Sequence, residues 1–350
     1  MPERVIKEGT HPFRPRPRLS PLLRRPAVLL AAAILLALCI LASLFVGSSR
    51  IPADQVAHYL LHPDASNVSY NINVLRVQRT IIGVLVGAAL AVAGAIMQAV
   101  TRNPLAEPGL LGVNAGASLG IVLGTAALGV LPVPGQLLLA AGGALTATAL
   151  VQVIGMIGGS TSSPVRLVLI GVAFSAFAGA VIRGVVLAMP NLFRTFIDWE
   201  VGSLTRADIP LLPMTLLVVL GTGAALLLAG ALDNIALGDD VAAALGTRVG
   251  LVRGLSLVVI TLLCATATTV AGPIGFVGLM APLTASWLMG PHRGWIVALC
   301  ALGGPVVVLA ADVLGRVLAR PGEMQVGLLT AFVGSPVLLL MVLRMKDQAS

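Results

Sequence analysis

Charge is what this sequence has least of. Of its 350 residues, only 10% are Asp, Glu, Lys or Arg, while 57% are hydrophobic, and the mean hydropathy is +1.01. A soluble domain carries about 25% charge. Apolar surface this abundant has no single soluble core to fill, so lipid must be the solvent for much of it. Long apolar runs, rather than short alternating segments, exclude a β-barrel. Aromatics are scarce at 4%. The three cysteines, Cys39, Cys264 and Cys300, fall inside apolar runs at no metal-ligand spacing and read as small buried hydrophobes. No Gly-x-x-x-x-Gly-Lys-Ser/Thr cradle for phosphate occurs, and no Gly-x-Ser-x-Gly nucleophile elbow. The four histidines, His11, His58, His62 and His292, show no metalloprotease spacing. An intramembrane enzyme therefore lacks its constellation. The net charge of +8 sits between apolar runs, so it speaks of topology and not of nucleic acid. Within those runs only Arg183 and Asp312 are clearly ionisable. A proton-coupled carrier would be expected to bury Asp, Glu or His at mid-membrane. Their scarcity argues for an external energy source, with a stand-alone gradient-driven carrier or channel as the rival.

What is abundant is small and apolar: 39 glycines, with 22 prolines to break or kink helices. Ten apolar runs predict an all-α polytopic fold, with helices near 27–46, 79–100, 109–129, 136–157, 165–188, 211–232, 254–271, 274–290, 295–314 and 325–343. Residues 1–26 carry seven basic and two acidic residues with interleaved prolines, and read as a disordered cytoplasmic tail ahead of a transmembrane domain over 27–345. Ten spans put both termini on one side, and the tail sets that side as the inside. The polar segment 189–210 predicts a short interfacial helix on the outer side. A five-residue echo, Val92–Ile96 against Val270–Ile274, suggests an inverted repeat of helices 2–5 and 7–10.

Three polar places stand out. In the loop 233–253, Gly238, Asp239 and Asp240 are placed to cap a short helix over Val241–Leu245, and Gly246 to end it. Such a helix on the cytoplasmic face suits a partner's groove. Arg76, Arg79 and Arg316 fall together at the outer face. They either snorkel to headgroups or pair with carboxylates of a docking protein. The turn Ser160–Pro164 is rich in small hydroxyl side chains, including Thr161, Ser162 and Ser163.

The stretch Arg76–Gly124 is the most specific. Arg76, Arg79 and Thr80 open it, Gly87 to Leu90, Gly94 and Gln98 continue it, and Asn103 to Gly112 read N-P-L-A-E-P-G-L-L-G. Glycines at 112, 116, 120 and 124 then line one helix face. This order closely resembles the permeases of ABC importers for iron–siderophore complexes, haem and cobalamin, the FecCD family, and most of all those for ferric catecholates. The resemblance continues through Gly272–Leu279 and Val326–Pro336 and covers about residues 50–345. It implies a ferric siderophore as cargo, a second permease subunit (identical or paralogous), and a substrate-binding protein that docks on Arg76, Arg79 and Arg316. It also implies a separate ATP-binding subunit, which holds the ATP and Mg, so that this chain has no cofactor and is no enzyme. Leu237, Gly238, Asp239, Asp240, Ala242, Leu245 and Gly246 would receive that subunit's movement. Thr161, Ser162 and Ser163 would form a cytoplasmic gate. The location implied is the cytoplasmic, or inner, membrane. One departure stands in Pro282-Leu283-Thr284, where the family usually has His and a basic residue after proline.

Overall fold

The computed structural model describes residues 21–156, 164–189, 191–205 and 209–349, and it is helical throughout these segments. Fourteen α-helices are recognised here: α1 Pro21–Phe45, α2 Ala53–Leu61, α3 Asn67–Tyr70, α4 Val77–Thr101, α5 Val113–Leu128, α6 Val133–Met156, α7 Pro164–Ala188, α8 Asn191–Glu200, α9 Leu211–Ala236, α10 Asp239–Ala244, α11 Val249–Ala271, α12 Val277–Met289, α13 Arg293–Leu318 and α14 Val326–Ala349. A π-helical turn over Asn71–Arg76 joins α3 to α4.

Seven of the helices are long and apolar enough to cross a membrane, and three shorter apolar segments lie in α5, α12 and α14. The ten expected runs are thus all helical, but their ends differ. α1 begins at Pro21, so residues 21–26 of the expected tail belong to the first helix. The third run does not begin at Gly109. A 3₁₀ turn, Pro108–Leu111, comes first, and Gly112 at φ 80° redirects the chain into α5. A left-handed residue is cheap only as glycine, which is why the helix starts there. Likewise α11 ends at Gly272, φ 74°, and residues 272–276 run without helix before α12. At 13 residues, α12 rises only about 20 Å and falls short of a hydrocarbon core of about 30 Å.

α4 is the most enclosed of the long helices. Its small residues explain this. A Cβ placed on Gly94 would strike the backbone of Gly278 in α12, and one on Gly87 would meet Gly304 and Pro305 of α13. In lipid, where no hydrophobic force drives helices together, such backbone approach is what supplies contact energy. The predicted glycine face of α5 behaves in the same way. Gly116 and Gly120 lie against Gly143 and Leu139 of α6 with no room for a side chain.

Order and length repeat. α4, α5, α6 and α7 have 25, 16, 24 and 25 residues. α11 to α14 have 23, 13, 26 and 24. The second helix of each set is the short one that follows a break. α4 ends at the same face of the protein where α11 begins, so the two sets run in opposite directions. The five-residue echo is not the source of this symmetry. Val92–Ile96 lies inside α4, whereas Val270–Ile274 straddles the end of α11.

Candidate functional site

Two polar constellations sit at opposite ends of α4. At its start, Arg76, Arg79 and Arg316 converge as expected, but not as free surface groups. Only 5%, 9% and 1% of their respective surfaces remain exposed. The reason is the C-terminal end of α1, whose last carbonyls have no helical partner. Arg76 donates through Nη1 to the carbonyls of Leu44 (3.0 Å) and Phe45 (3.3 Å) and through Nη2 to that of Ser49 (3.2 Å). Arg316 donates to the Ser43 carbonyl at 2.9 Å and the Val46 carbonyl at 3.0 Å. Arg320 reaches the Gly47 carbonyl at 2.8 Å. Three guanidinium groups thus cap one helix end, where its dipole is negative.

Two carboxylates balance them. Asp312, fully buried on α13, takes Arg79 through Nε at 3.0 Å and Nη2 at 2.7 Å, and Arg316 through Nη2 at 2.7 Å. Glu323, on the loop after α13, takes Nη1 of Arg79 at 2.5 Å and the hydroxyl of Ser48 at 2.7 Å. Burial pushes the Glu323 carboxyl up, but the Arg79 and Ser48 hydrogen bonds outweigh this and hold it below its ordinary value. A cleft of about 230 Å³ opens among these groups, lined by Ser48, Asn71, Gln78, Arg79, Thr205 and Glu323 among others. All three arginines have partners within the chain. Their charge is largely committed within the chain, and an outside group reaches it only through this cleft. Arg76 and Arg316 find carbonyl acceptors some 30 to 270 positions away, and Arg79 finds the carboxylates of Asp312 and Glu323, which no local pattern announces.

At the far end of α4 lies the loop that includes α10. Its helix spans Asp239–Ala244, two residues earlier than expected, and Gly238 begins it at φ 117° without a side-chain cap. The acids are not caps because Asp239 has stronger partners. It pairs with Arg102, the residue that ends α4, and with Arg253 of α11 at 3.0 Å. Gly246, at φ 82°, closes the helix as expected. Asn234 Nδ2 donates to the Thr247 hydroxyl at 2.9 Å and ties the loop's two strands of chain together. Ala242 is buried, while Leu237, Val241 and Leu245, four residues apart, are exposed. Four-residue spacing puts Val241 and Leu245 on one exposed face of α10, and Leu237 stands exposed just before it, beyond the turn at Gly238.

Thr161, Ser162 and Ser163 lie outside the described residues. Leu283, at the departure from the resemblance, is buried on α12. Two polar side chains of the Arg76–Gly124 stretch, quoted above without a role, make contacts that the sequence did not announce. Gln98 donates to the Leu279 carbonyl at 3.1 Å, and the Glu107 carboxylate accepts the Phe276 amide at 3.0 Å. The Phe276 amide is one left unpaired by the break before α12.

Comparison with known proteins bears on the chain as a whole. The model of the FecCD transport family matches residues 35–344. The ferric enterobactin transport system permease protein of Escherichia coli is 44% identical over 303 residues, covering 86% of this chain and 90% of that one. The Fe(3+)-citrate import system permease protein of Bacillus subtilis is 39% identical, over 85% and 88%. The hemin transport system permease protein of Yersinia pestis is 36% identical, over 79% and 84%. Among solved structures, a metal-chelate type ABC transporter in an inward-facing conformation superposes with a TM-score of 0.79 at 25% identity, covering 91% of this chain and 99% of that one.

Proposed function

This chain belongs to the FecCD transport family, and from that premise we propose that it is the permease subunit of an ABC importer that carries a ferric siderophore across the cytoplasmic membrane. The observation that carries this reading is the likeness to a ferric enterobactin permease over most of both chains. The charge-poor helices agree with it. A pore that must release a cargo delivered by another protein has no need of strong intramembrane ligands.

The two ends of α4 then take complementary roles. The exposed apolar surface of Leu237, Val241 and Leu245 docks an ATP-binding subunit, which holds ATP and Mg and hydrolyses the nucleotide. The cleft that Arg76, Arg79 and Arg316 line receives a substrate-binding protein at the outer face. Cargo passes between this subunit and a second permease, identical or paralogous. Both termini lie in the cytoplasm, and Thr161, Ser162 and Ser163 serve as the cytoplasmic gate.

Uptake of labelled iron by cells lacking this gene tests the cargo. Ferric catecholate, ferric hydroxamate and haem are offered in turn, with labelled cobalamin as the fourth substrate. Loss of ferric catecholate uptake, restored by the wild-type gene, is expected. Loss of another of the four reassigns the cargo within the family. Unchanged uptake of all four, in cells with no second importer for them, overturns the reading.

A further inference from the structure

Arg102, the residue that follows α4, pairs directly with Asp239 at the start of α10. It ends α4 in the left-handed region, φ 50° and ψ 29°. A side chain other than glycine is strained in that conformation, so something must hold it. Its Nε donates to the Ile235 carbonyl at 2.8 Å, near the end of α9, and its Nη2 pairs with Asp239 at the start of α10. Asp239 passes its other oxygen to Arg253 of α11. One carboxylate thereby joins the leading helices of the two opposed repeats.

What lies behind Arg102 is stiff. Backbone contact at Gly94 with Gly278 and at Gly87 with Gly304 and Pro305 leaves α4 no room to slide against α12 or α13. At the distant end Arg79 locks α4 to Asp312 of α13. A packed block of this kind responds to a pull at one end by moving as a body.

We propose that Arg102 is the positioning residue that passes displacement of α10 to the α4–α12–α13 block, and so to the cleft at the other end. The proposal rests on the reading of α10 as the place where an ATP-binding subunit docks. Removal of the Arg102 side chain leaves α10 attached to α9 by the chain and to α11 by Arg253, both of which also pack on α4, so the docking surface persists while the direct link from α10 to the end of α4 is lost. The expected phenotype is uncoupling rather than loss of assembly.

The test uses the full importer in proteoliposomes, with ATP hydrolysis and ferric siderophore uptake measured together. Arg102→Gln is expected to keep the ATP-binding subunit bound and hydrolysis within about two-fold of wild type, while uptake per ATP falls at least ten-fold. Arg102→Lys, which keeps the charge opposite Asp239 and guards against a folding artefact, is expected to recover part of that ratio. A wild-type ratio in Arg102→Gln, or a proportional fall of uptake and hydrolysis in both variants, overturns the proposal. The pair Val241→Glu and Leu245→Glu checks the premise separately. If the ATP-binding subunit still copurifies with that variant, α10 is not its docking site and the assignment of Arg102 falls with it.

Discussion

Arg79 grips Asp312 across 233 positions of sequence, through Nε at 3.0 Å and Nη2 at 2.7 Å. The pair fastens the start of α4 to α13, and Asp312 also holds Arg316 one turn along its own helix. Two cations share one buried anion, and the excess charge is spread over the carbonyls at the end of α1. A buried carboxylate with two guanidinium partners is costly to assemble and more costly to half-dismantle.

Asp312→Ala should therefore destabilise far more than the loss of one hydrogen bond. It leaves Arg79 and Arg316 facing each other with no anion between them. Breaking a buried pair in this way costs about 3–5 kcal/mol. Thermal melting of the purified protein should show a clear fall or no folded protein at all. Arg320→Ala, which removes a single hydrogen bond to the Gly47 carbonyl, should cost about 1–2 kcal/mol. Equal stability of the two variants would contradict this account.

Glu323 gives a pH dependence with a definite sign. Its carboxyl lies below its ordinary value in the folded protein. Its contribution is thus fully present above the ordinary glutamate range, near pH 4.3, and is lost as pH falls through the lowered folded value. The side chain is about a third exposed, so the pair with Arg79 is screened and contributes about 1 kcal/mol or less. Wild type should melt above Glu323→Gln at pH 7, and the difference should shrink toward pH 3. A gap that widens on acidification would mean the pair has been misread.

The glycines divide into two groups with opposite expectations. Gly94→Ala drives a methyl into the Gly278 backbone, which has no rotamer with which to yield. The cost should reach or exceed the 1–3 kcal/mol typical of overpacking. Gly223 and Gly230 on α9 have nothing within 4 Å of an added Cβ. Alanine there should be neutral or stabilising by up to about 1 kcal/mol, because it favours the helix. Melting temperatures of the three single variants decide the matter.

Much of the architecture was legible because membrane helices announce themselves by length and apolarity. Each expected run has its helix, and the glycines of α5 mark the face that meets α6. The breaks were less legible. Pro108 and Gly112 signal the interruption before α5, yet the reading began that helix at Gly109, because apolar composition is continuous across it. The arginines show a deeper limit. Composition placed Arg76, Arg79 and Arg316 at one end of the protein, but Arg76 and Arg316 reach carbonyls at the end of α1, and a carbonyl leaves no mark on sequence, while Arg79 reaches carboxylates more than 230 positions away. Asp239 is a parallel case. A local rule made it a helix cap, and two distant cations claimed it instead.

The exposed apolar surface at α10 allows the sharpest separation of folding from function. Leu237, Val241 and Leu245 are exposed and pack against no core, so a polar substitution there removes no buried contact. Surface changes of this kind usually alter stability by less than about 0.5 kcal/mol. Val241→Glu with Leu245→Glu should therefore melt like wild type. If this surface is the docking face, two carboxylates would enter an apolar groove of the ATP-binding subunit without partners, at a cost of several kcal/mol. That is ample to abolish copurification and ferric siderophore uptake together. Ala242→Glu tests the opposite face of the same helix. Ala242 is buried, so its substitution should destabilise the loop and lower the melting temperature. A melting temperature that falls equally for all these variants would show that the surface supports the fold and does not serve a partner.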